Sequence, residues 1–281
     1  IPSGLLTTNV DEAIDAADIV VELVGGTGFA KDLILKAISR GKHIVTANKA
    51  LLAMHGEEIF AAAAKHHVDV YYEASVAGGI PIIKALREGL VANRINRIYG
   101  IMNGTCNYIL TRMEREGLDF DVILSDAQKL GYAEANPSLD IDGFDTAHKA
   151  SILASLAYGK WFGLGPVFVE GIRGLSLFDL RCADELGYRI KLLAIIKNVG
   201  GKVQIRVHPA LVPKTALLAN VAEVFNAVMV DGDNVGSTLF YGRGAGRSAT
   251  ASAVCADITD AALNIVNGCV NRVLPFRAGE L

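Results

Sequence analysis

The stretch DIVVELVGGTGFAKDLILKAISRGKHIVTAN, residues 18–48, decides how the first part of the chain folds. A β-branched run stops at Gly25-Gly26, an amphipathic segment then continues to Gly41, and a second apolar run, IVTAN, follows. Strand, helix and strand in this order predict a right-handed βαβ unit with parallel strands. A further helix over 49–67 and a strand over 68–76 repeat the pattern, so these residues predict half of an open α/β sheet.

The three predicted strands end at segments suited to polar contacts. Gly25-Gly26 follow the first strand, residues 46–49 (TANK) follow the second, and residues 75–79 (SVAGG) follow the third. In an open α/β sheet, ligands bind beyond the carboxyl ends of the strands. We therefore expect these three segments to line one crevice.

From about residue 80 the sequence pattern changes. Helices are predicted over 80–90, 107–117, 120–131 and 146–159, whereas 202–213 and 223–244 carry strand signals without regular helices between them. This mixture predicts an α+β domain. A last helix, 249–268, follows the glycine cluster YGRGAGRSA, so its N-terminal amides are suited to an anion, and we expect it to return to the first domain.

Composition excludes several classes of partner. The chain has 281 residues and a net charge of −3, without the clustered Lys/Arg that nucleic acid or an anionic membrane would require. Its four cysteines form no C-x-x-C pair, and no apolar run reaches 18 residues or resembles a signal peptide. The expected protein is soluble and cytoplasmic.

The segment GYAEANPSLDIDGFDTAHK, residues 131–149, concentrates Glu134, Asp140, Asp142 and Asp145 in a chain that is otherwise 51% hydrophobic. Asp145 and Lys149 lie four residues apart on one predicted helix and share a face, which for a solvated pair contributes only roughly 0.2–0.5 kcal/mol. However, the surrounding residues are mostly small or apolar, which indicates a buried helix. A lysine there needs a partner or must lose its charge, so the pair is a candidate for chemistry.

Two further charged residues follow predicted strands. Lys49 begins a helix, where a cation opposes the macrodipole, so either a ligand or a side chain that reaches out to solvent has to explain it. Glu73 precedes the tight loop ASVAGG. It is either a helix-capping or surface carboxylate, or a ligand of a hard cation.

Histidine and cysteine give weaker signals. No histidine shows metal-ligand spacing, and we assign none a catalytic role. Cys106 has no convincing base in its local sequence, so a buried thiol is a better interpretation than a nucleophile.

Six strings, in order, resemble the homoserine dehydrogenase family: VVELVGG, VTANKALLA, YEASVAGGIPII, IMNGTCNYIL, KLGYAEANPSLDIDGFDTAHKASILA and GAGRSATASAVCADI. The resemblance spans residues 18–260 and implies an α/β protein. It implies a partial Rossmann-type nucleotide-binding domain over 1–79, an α+β substrate and dimerisation domain over 80–243, and a returning helix within 244–281. It also implies a glycine-rich phosphate loop upstream of Ile1, a regulatory domain after Leu281, and hence that this sequence is a fragment.

The resemblance implies a role for each matching residue. Lys149 is the acid/base with Lys49 beside it, and Glu134, Asp140 and Asp145 bind the substrate. NAD or NADP is held by Gly25, Gly26, Thr46, Asn48, Lys49, Ser75 and Gly246. Sodium or potassium is bound by Glu73 with the carbonyl groups of Val76, Gly78 and Ile80. The protein is expected to be a homodimer.

The implied reaction is the reversible reduction of L-aspartate 4-semialdehyde to L-homoserine with NAD(P)H. Two alternatives stay open. One is an aspartate-semialdehyde dehydrogenase-like enzyme, which needs a nucleophilic cysteine. The other is a non-catalytic binding module on the same fold.

Overall fold

The structure is a computed structural model that describes residues 2–269. In this range the chain forms ten α-helices and nine β-strands. The helices are α1 Val10–Asp15, α2 Phe29–Ser39, α3 Lys49–His66, α4 Ile82–Lys84, α5 Gly104–Glu116, α6 Phe120–Lys129, α7 Ser138–Ile141, α8 Phe144–Tyr158, α9 Leu177–Glu185 and α10 Arg247–Val266. The strands are β1 Ile19–Glu22, β2 His43–Thr46, β3 Val70–Tyr71, β4 Ile95–Ile101, β5 Val167–Val169, β6 Tyr188–Val199, β7 Lys202–Pro213, β8 Phe225–Gly232 and β9 Gly236–Arg243.

The first sheet is parallel, in the order β1-β2-β3. Helix α2 buries Ala30, Ile34, Ala37 and Ile38, which recur at the spacing of one helix face and pack in the same core as Ile44. The opposite face of the sheet carries Val45 and Tyr71, which pack against Val254 and Ala261 of α10. The sheet therefore has helices on both faces, and the predicted α/β class is confirmed.

The third strand is much shorter than the predicted 68–76. Only Val70 and Tyr71 pair with β2, and the chain then turns into a 3₁₀ helix over Glu73–Ser75. The backbone N–H of Glu73 donates to Asp257 Oδ2 of α10 at 2.8 Å instead of to a strand. A buried carboxylate on the packed helix therefore ends the strand.

The second sheet has six strands in the order β5-β7-β6-β4-β8-β9. Its centre is antiparallel, and apolar residues of α5 and α8 share one core with the inner face of these strands. Strand β6 is not among the predicted elements. The signal for it is the Gly200-Gly201 pair between two apolar runs, because both glycines take positive φ in the turn of the β6–β7 hairpin.

Helix α10 is the one described helix whose length and composition would allow it to cross a membrane. One face of this helix packs on the parallel sheet and buries two polar residues, Asp257 and Asn264. Asn264 donates to the Tyr71 hydroxyl at 2.7 Å. These contacts are those of a helix that packs one face against a sheet. Residues 270–281, which complete the predicted segment 244–281, lie outside the described range.

Candidate active site

A cavity of about 590 Å³ lies between the end of β2, the β4–α5 connection, α8 and the segment that leads into α10. It brings together eight of the predicted site residues: Lys49, Ser75, Gly78, Glu134, Asp140, Asp145, Lys149 and Gly246. These residues span almost two hundred positions of the sequence. The fold therefore gathers both lysines and the three carboxylates at one place.

Asp145 is the centre of the charged cluster. Lys149 Nζ donates to Asp145 Oδ2 at 2.6 Å, and Lys49 Nζ lies 3.2 Å from Asp145 Oδ1. Lys149 also donates to the backbone carbonyl of Met102 at 2.7 Å, which fixes the direction of its ammonium group. The side chains of Asp145 and Lys149 are only 7% and 11% exposed, so the surface-pair interpretation is wrong.

The charge state of Asp145 follows from its surroundings. Burial alone would raise the pKa of this carboxyl group, but the ammonium groups of Lys149 and Lys49 outweigh burial and lower the pKa to about 2. Asp145 therefore remains ionised at any pH near neutrality.

Asn103 is a cavity residue that the sequence did not reveal. Its Oδ1 accepts from the backbone N–H of Cys106 at 2.8 Å and so caps the N-terminus of α5. Because this cap fixes the amide orientation, Nδ2 points at the two carboxylates, donating to Asp140 Oδ1 at 2.7 Å and to Asp145 Oδ2 at 2.9 Å. Asn103 therefore holds the two carboxylates side by side. Its only sequence signal is an Asn-Gly pair at a strand-to-helix junction.

The other two carboxylates differ in environment. Burial raises the pKa of Asp140, opposed by its hydrogen bond from Asn103. Glu134 is exposed on the loop before α7, lines the cavity, and its carboxylate makes no hydrogen bond or ion pair within residues 2–269. Glu134 is therefore available to a ligand.

Two of the expected cofactor residues have side chains that are used inside the protein. Thr46 is fully buried, and its hydroxyl donates to Glu22 Oε2 at 2.7 Å. Asn48 accepts from Leu51 N as the N-cap of α3 and donates to the Gly26 carbonyl at 2.7 Å. The Thr46 hydroxyl is therefore already used inside the protein, and the cofactor-binding role of Thr46 stays a prediction.

The loop after β1 depends on Glu22, another residue not predicted. Its Oε1 accepts from the backbone N–H groups of Val24 and Gly25 at 2.8 and 2.9 Å. Gly25 and Gly26 have φ of +80° and +74°, and both are exposed with open space around them. They lie outside the lining of the cavity, so only the second and third strand ends meet there as expected.

Two loops cross closely beside the cavity. A Cβ on Gly78 would lie 2.4 Å from the Gly244 carbonyl oxygen, and the Gly79 N–H donates to the Arg243 carbonyl at 3.1 Å. Gly246, with φ of +113°, then begins α10. Only glycine allows the loop after β3 to approach the start of α10 in this way.

Glu73 has a structural partner for each carboxylate oxygen. Oε1 accepts from the Ile83 N–H and Oε2 from the Lys84 N–H, both at 2.8 Å. Glu73 therefore caps the N-terminus of α4, which is the helix-capping role considered from the sequence. Within residues 2–269, no group of three or more His, Cys, Asp or Glu side chains forms a metal site. The cation site with Val76, Gly78 and Ile80 stays a prediction.

We predict that Glu73→Gln lowers the free energy of unfolding by about 1–2 kcal/mol, because the amide directs an N–H₂ group at one of the two backbone donors. Urea unfolding of this variant beside Glu57→Gln, an exposed glutamate on α3, measures the difference. Equal free energies of unfolding for Glu73→Gln and Glu57→Gln would contradict a capping role for Glu73.

Cys106 and His148 are both buried beside the charged cluster. Burial raises the pKa of the Cys106 thiol, whose Sγ donates to the Asp140 carbonyl at 3.2 Å, so the residue is the buried thiol that we expected. Burial lowers the pKa of His148. This imidazole is therefore neutral near pH 7 and adds no third cation.

Comparison with known proteins gives two matching family models. The model described as homoserine dehydrogenase matches residues 81–259, and the one described as the NAD-binding domain of homoserine dehydrogenase matches residues 1–73. A homoserine dehydrogenase of Neisseria gonorrhoeae is 56% identical over 266 residues, which are 94% of this chain and 61% of the relative. One of Pseudomonas aeruginosa is 54% identical over 91% of this chain and 59% of the relative.

Two solved structures that are similar in fold are also homoserine dehydrogenases. A homoserine dehydrogenase from Thiobacillus denitrificans superposes with a TM-score of 0.94 at 52% identity and covers 97% of this chain and 64% of that one. A hyperthermophilic archaeal homoserine dehydrogenase in complex with NADPH has a TM-score of 0.80 at 30% identity, over 92% of this chain and 76% of that one. The chain spans about 60% of the length of the curated relatives that it matches.

Proposed function

Because the chain belongs to the homoserine dehydrogenase family, we propose that its protein catalyses the reversible NAD(P)H-dependent reduction of L-aspartate 4-semialdehyde to L-homoserine. The observation that carries this proposal is the Lys149–Asp145–Lys49 cluster at the wall of a cavity, in which the Asp145 and Lys149 side chains are largely buried. A carbonyl group becomes a hydroxyl group in this reaction, so the site needs a proton donor near the carbonyl oxygen. Lys149 supplies such a donor.

The residues around the crevice fit a nicotinamide dinucleotide. Gly25, Gly26 and Gly246 carry no side chain, and a Cβ at any of them would project into open space that a ligand can occupy. The 20-residue helix α10 begins at the cavity and presents free backbone N–H groups. When bound, the cofactor supplies the hydride. Whether NAD or NADP is preferred depends on the group that contacts the ribose.

Lys149 acts as the general acid in reduction and as the general base in homoserine oxidation. Its Nζ is oriented by the Asp145 carboxylate and the Met102 carbonyl, which leaves one N–H to donate to the substrate oxygen. In the oxidation, the hydroxyl proton returns to Nζ. Lys49 faces the same carboxylate and stabilises negative charge that develops on the substrate oxygen.

The carboxylates select the amino-acid end of the substrate. Glu134 has a free carboxylate at the opening of the cavity, and Asp140 and Asp145 are held together behind it by Asn103. An ammonium group is the complement of such a wall. This arrangement supports substrates that carry an α-amino group.

An assay of the full-length protein tests the proposal. Homoserine should reduce NAD(P)⁺, and the absorbance of the reduced nicotinamide should rise with time in the absence of phosphate. Phosphate-dependent turnover of the semialdehyde would favour the aspartate-semialdehyde dehydrogenase alternative, but the buried Cys106 thiol argues against a thioester. Binding without turnover would favour the binding module.

A monovalent cation is a further part of the proposal. Gly78 lines the cavity, and its loop with Val76 and Ile80 offers carbonyl oxygens, which suit sodium or potassium. Both Glu73 oxygens already accept backbone N–H groups, so any cation there relies on the carbonyl groups. Replacing sodium and potassium with choline in the assay tests this site.

The uncovered face of the six-stranded sheet suits a second copy of the chain. Cross-strand pairing sets Ile195, Tyr99, Met229 and Leu239 in one row across β6, β4, β8 and β9. These side chains are partly exposed, and among the described residues only the strands and residues 216–221, which include a short 3₁₀ helix over Leu217–Asn220, contribute to the cluster on this face. A flat apolar row of this kind favours a symmetric dimer.

We predict that Ile195→Asp shifts the full-length protein from dimer to monomer, because one carboxylate in each copy would be buried in the apolar contact. Light scattering after gel filtration measures the mass. Leu186→Asp, at an exposed position beyond α9, is the matched control and should remain a dimer. An Ile195→Asp protein with unchanged mass would contradict the proposed face.

The free cysteines support a cytoplasmic location. Cys106, Cys182, Cys255 and Cys269 are all free thiols, although two of them are exposed. Free exposed thiols persist in a reducing compartment, which supports a cytoplasmic enzyme.

A further inference from the structure

Glu22, the last residue of β1, is a buried carboxylate that only neutral groups satisfy. Its side chain is fully buried, and none of the ion pairs within residues 2–269 includes it. Its two oxygens accept from two backbone N–H groups and one hydroxyl group. Burying a carboxylate in this way is unfavourable for stability alone, so the position of Glu22 indicates a further role.

One oxygen of Glu22 connects β1 to the end of β2. Strand pairing sets Glu22 beside Thr46, and the Thr46 hydroxyl donates to Glu22 Oε2 at 2.7 Å. The same hydroxyl oxygen accepts from the backbone N–H of Asn48 at 3.0 Å. The carboxylate, the hydroxyl group and the start of α3 are therefore joined in one series of hydrogen bonds.

The series returns to Glu22 through the loop after β1. Asn48 Nδ2 donates to the Gly26 carbonyl at 2.7 Å, and the N–H of the preceding Gly25 donates to Glu22 Oε1 at 2.9 Å. Both glycines have positive φ and are exposed. Hydrogen bonds and backbone thus form a closed ring, here called the Glu22 ring, through Glu22, Thr46, Asn48, Gly26 and Gly25.

The Glu22 ring also reaches the charged cluster of the cavity. Asn48 Oδ1 accepts from Leu51 N and so caps α3, whose first residue is Lys49. Lys49 lines the cavity and lies 3.2 Å from Asp145 Oδ1. The same ring therefore sets both the loop over residues 23–26 and the helix start that carries Lys49.

We propose that Glu22 is a positioning residue that, through Thr46 and Asn48, holds residues 23–26 in the shape that receives the nicotinamide dinucleotide. This inference rests on the proposed function. An exposed loop with two glycines would otherwise have to be ordered when the cofactor binds, and that ordering lowers the affinity. Because the ring is closed, loss of one of its bonds releases the whole loop.

Cofactor binding to the full-length protein tests this role. Dissociation constants for NADPH and NADH are measured by fluorescence, and the cofactor that binds more tightly is used for all variants. Thr46→Val removes the hydroxyl group and should raise the dissociation constant about tenfold, whereas Thr46→Ser keeps the hydroxyl group and the unmodified value. Glu22→Gln should also raise it, because one amide oxygen cannot serve the donors on both sides. Thr111→Val, at a buried threonine of α5 outside the cavity lining, is the matched control.

The doubly substituted protein distinguishes one ring from separate contacts. Glu22→Gln combined with Thr46→Val should bind within about twofold of the weaker single variant. Losses that multiply would overturn the ring, and a loss in Thr46→Val alone would mean that the hydroxyl group touches the cofactor directly. Lowered melting temperatures with unchanged dissociation constants would also overturn the proposal.

The binding measurement is independent of turnover. Protein that shows this coupling but does not oxidise homoserine would refute the enzymatic function and leave the role of Glu22 intact. Protein that oxidises homoserine but shows no coupling would refute the role of Glu22 alone. Absence of binding for both cofactors would contradict the two proposals together.

Discussion

Replacing Lys149 with alanine in the full-length protein should lower kcat and kcat/KM together by about 10²–10⁴-fold, the usual loss for a general acid/base group. Alanine removes the donor to the substrate oxygen and leaves the Met102 carbonyl without its partner. The proposed substrate-binding carboxylates Glu134, Asp140 and Asp145 are retained in this variant, so KM should change much less than kcat. Steady-state kinetics in both directions measure these constants.

A matched variant separates chemistry from stability in this experiment. Lys160 lies half-buried just after α8, outside the cavity lining, so Lys160→Ala should retain activity close to that of the unmodified protein. Each variant is checked for folding by its melting temperature. Near-normal turnover by folded Lys149→Ala would contradict the proposed acid/base role of Lys149.

Local spacing predicted the parts of the site that lie on one element. Asp145 and Lys149 share a helix face because they are four residues apart, and the small residues around them correctly indicated burial. Lys49 was found because a cation at a helix start needs an explanation. The alternation of strands and helices likewise predicted the parallel sheet and the edge at which Lys49 lies.

Residues whose role depends on cross-strand register or on tertiary packing were not found. Asn103 holds two carboxylates that lie 37 and 42 positions away. Neither relation has a signature in the local sequence. Side-chain direction was similarly hidden at Thr46, where the buried Glu22 attracts the hydroxyl group away from the cavity.

Glu73 illustrates an ambiguity of a different kind. A carboxylate before a tight loop suits a cation and a helix N-terminus equally well, because both present positive charge to it. The short helix α4 begins nine residues later, and its N–H groups reach the carboxylate only after the chain has turned. The turn at Ala77 and Gly78, both with positive φ, lies between Glu73 and this helix, and a turn of this kind cannot be read from the residues next to Glu73.

Replacing Asp145 with asparagine should reduce kcat/KM by about 10²-fold or more and also destabilise the protein. The change is nearly isosteric, but it removes the charge that faces Lys149 at 2.6 Å and Lys49 at 3.2 Å. Removing one member of a buried ion pair leaves the other charges uncompensated, which is strongly unfavourable. Both ammonium groups should then leave their catalytic positions, so kcat falls and KM for homoserine rises while NAD(P)H affinity is preserved.

The acid dependence of stability gives an independent measurement on the same variant. Asp145 has a pKa of about 2 in the folded protein, against an ordinary 3.8, so its ionised form stabilises the fold above pH 4. That stabilisation is lost as the pH falls through 2, and it corresponds to about 2 kcal/mol. The difference in unfolding free energy between the unmodified protein and Asp145→Asn should therefore narrow as the pH is lowered from 6 to 3 in urea titrations.

Asp142→Asn makes the same chemical change three residues earlier, at a carboxylate that pairs with Arg173 on the surface and lies outside the cavity lining. Surface pairs of this kind contribute little, so this control should keep its activity and nearly all of its stability. If Asp145→Asn matches Asp142→Asn in kcat/KM, the carboxylate does not hold the two lysines for catalysis. If only its stability matches, burial rather than charge pairing determines how Asp145 contributes to the fold.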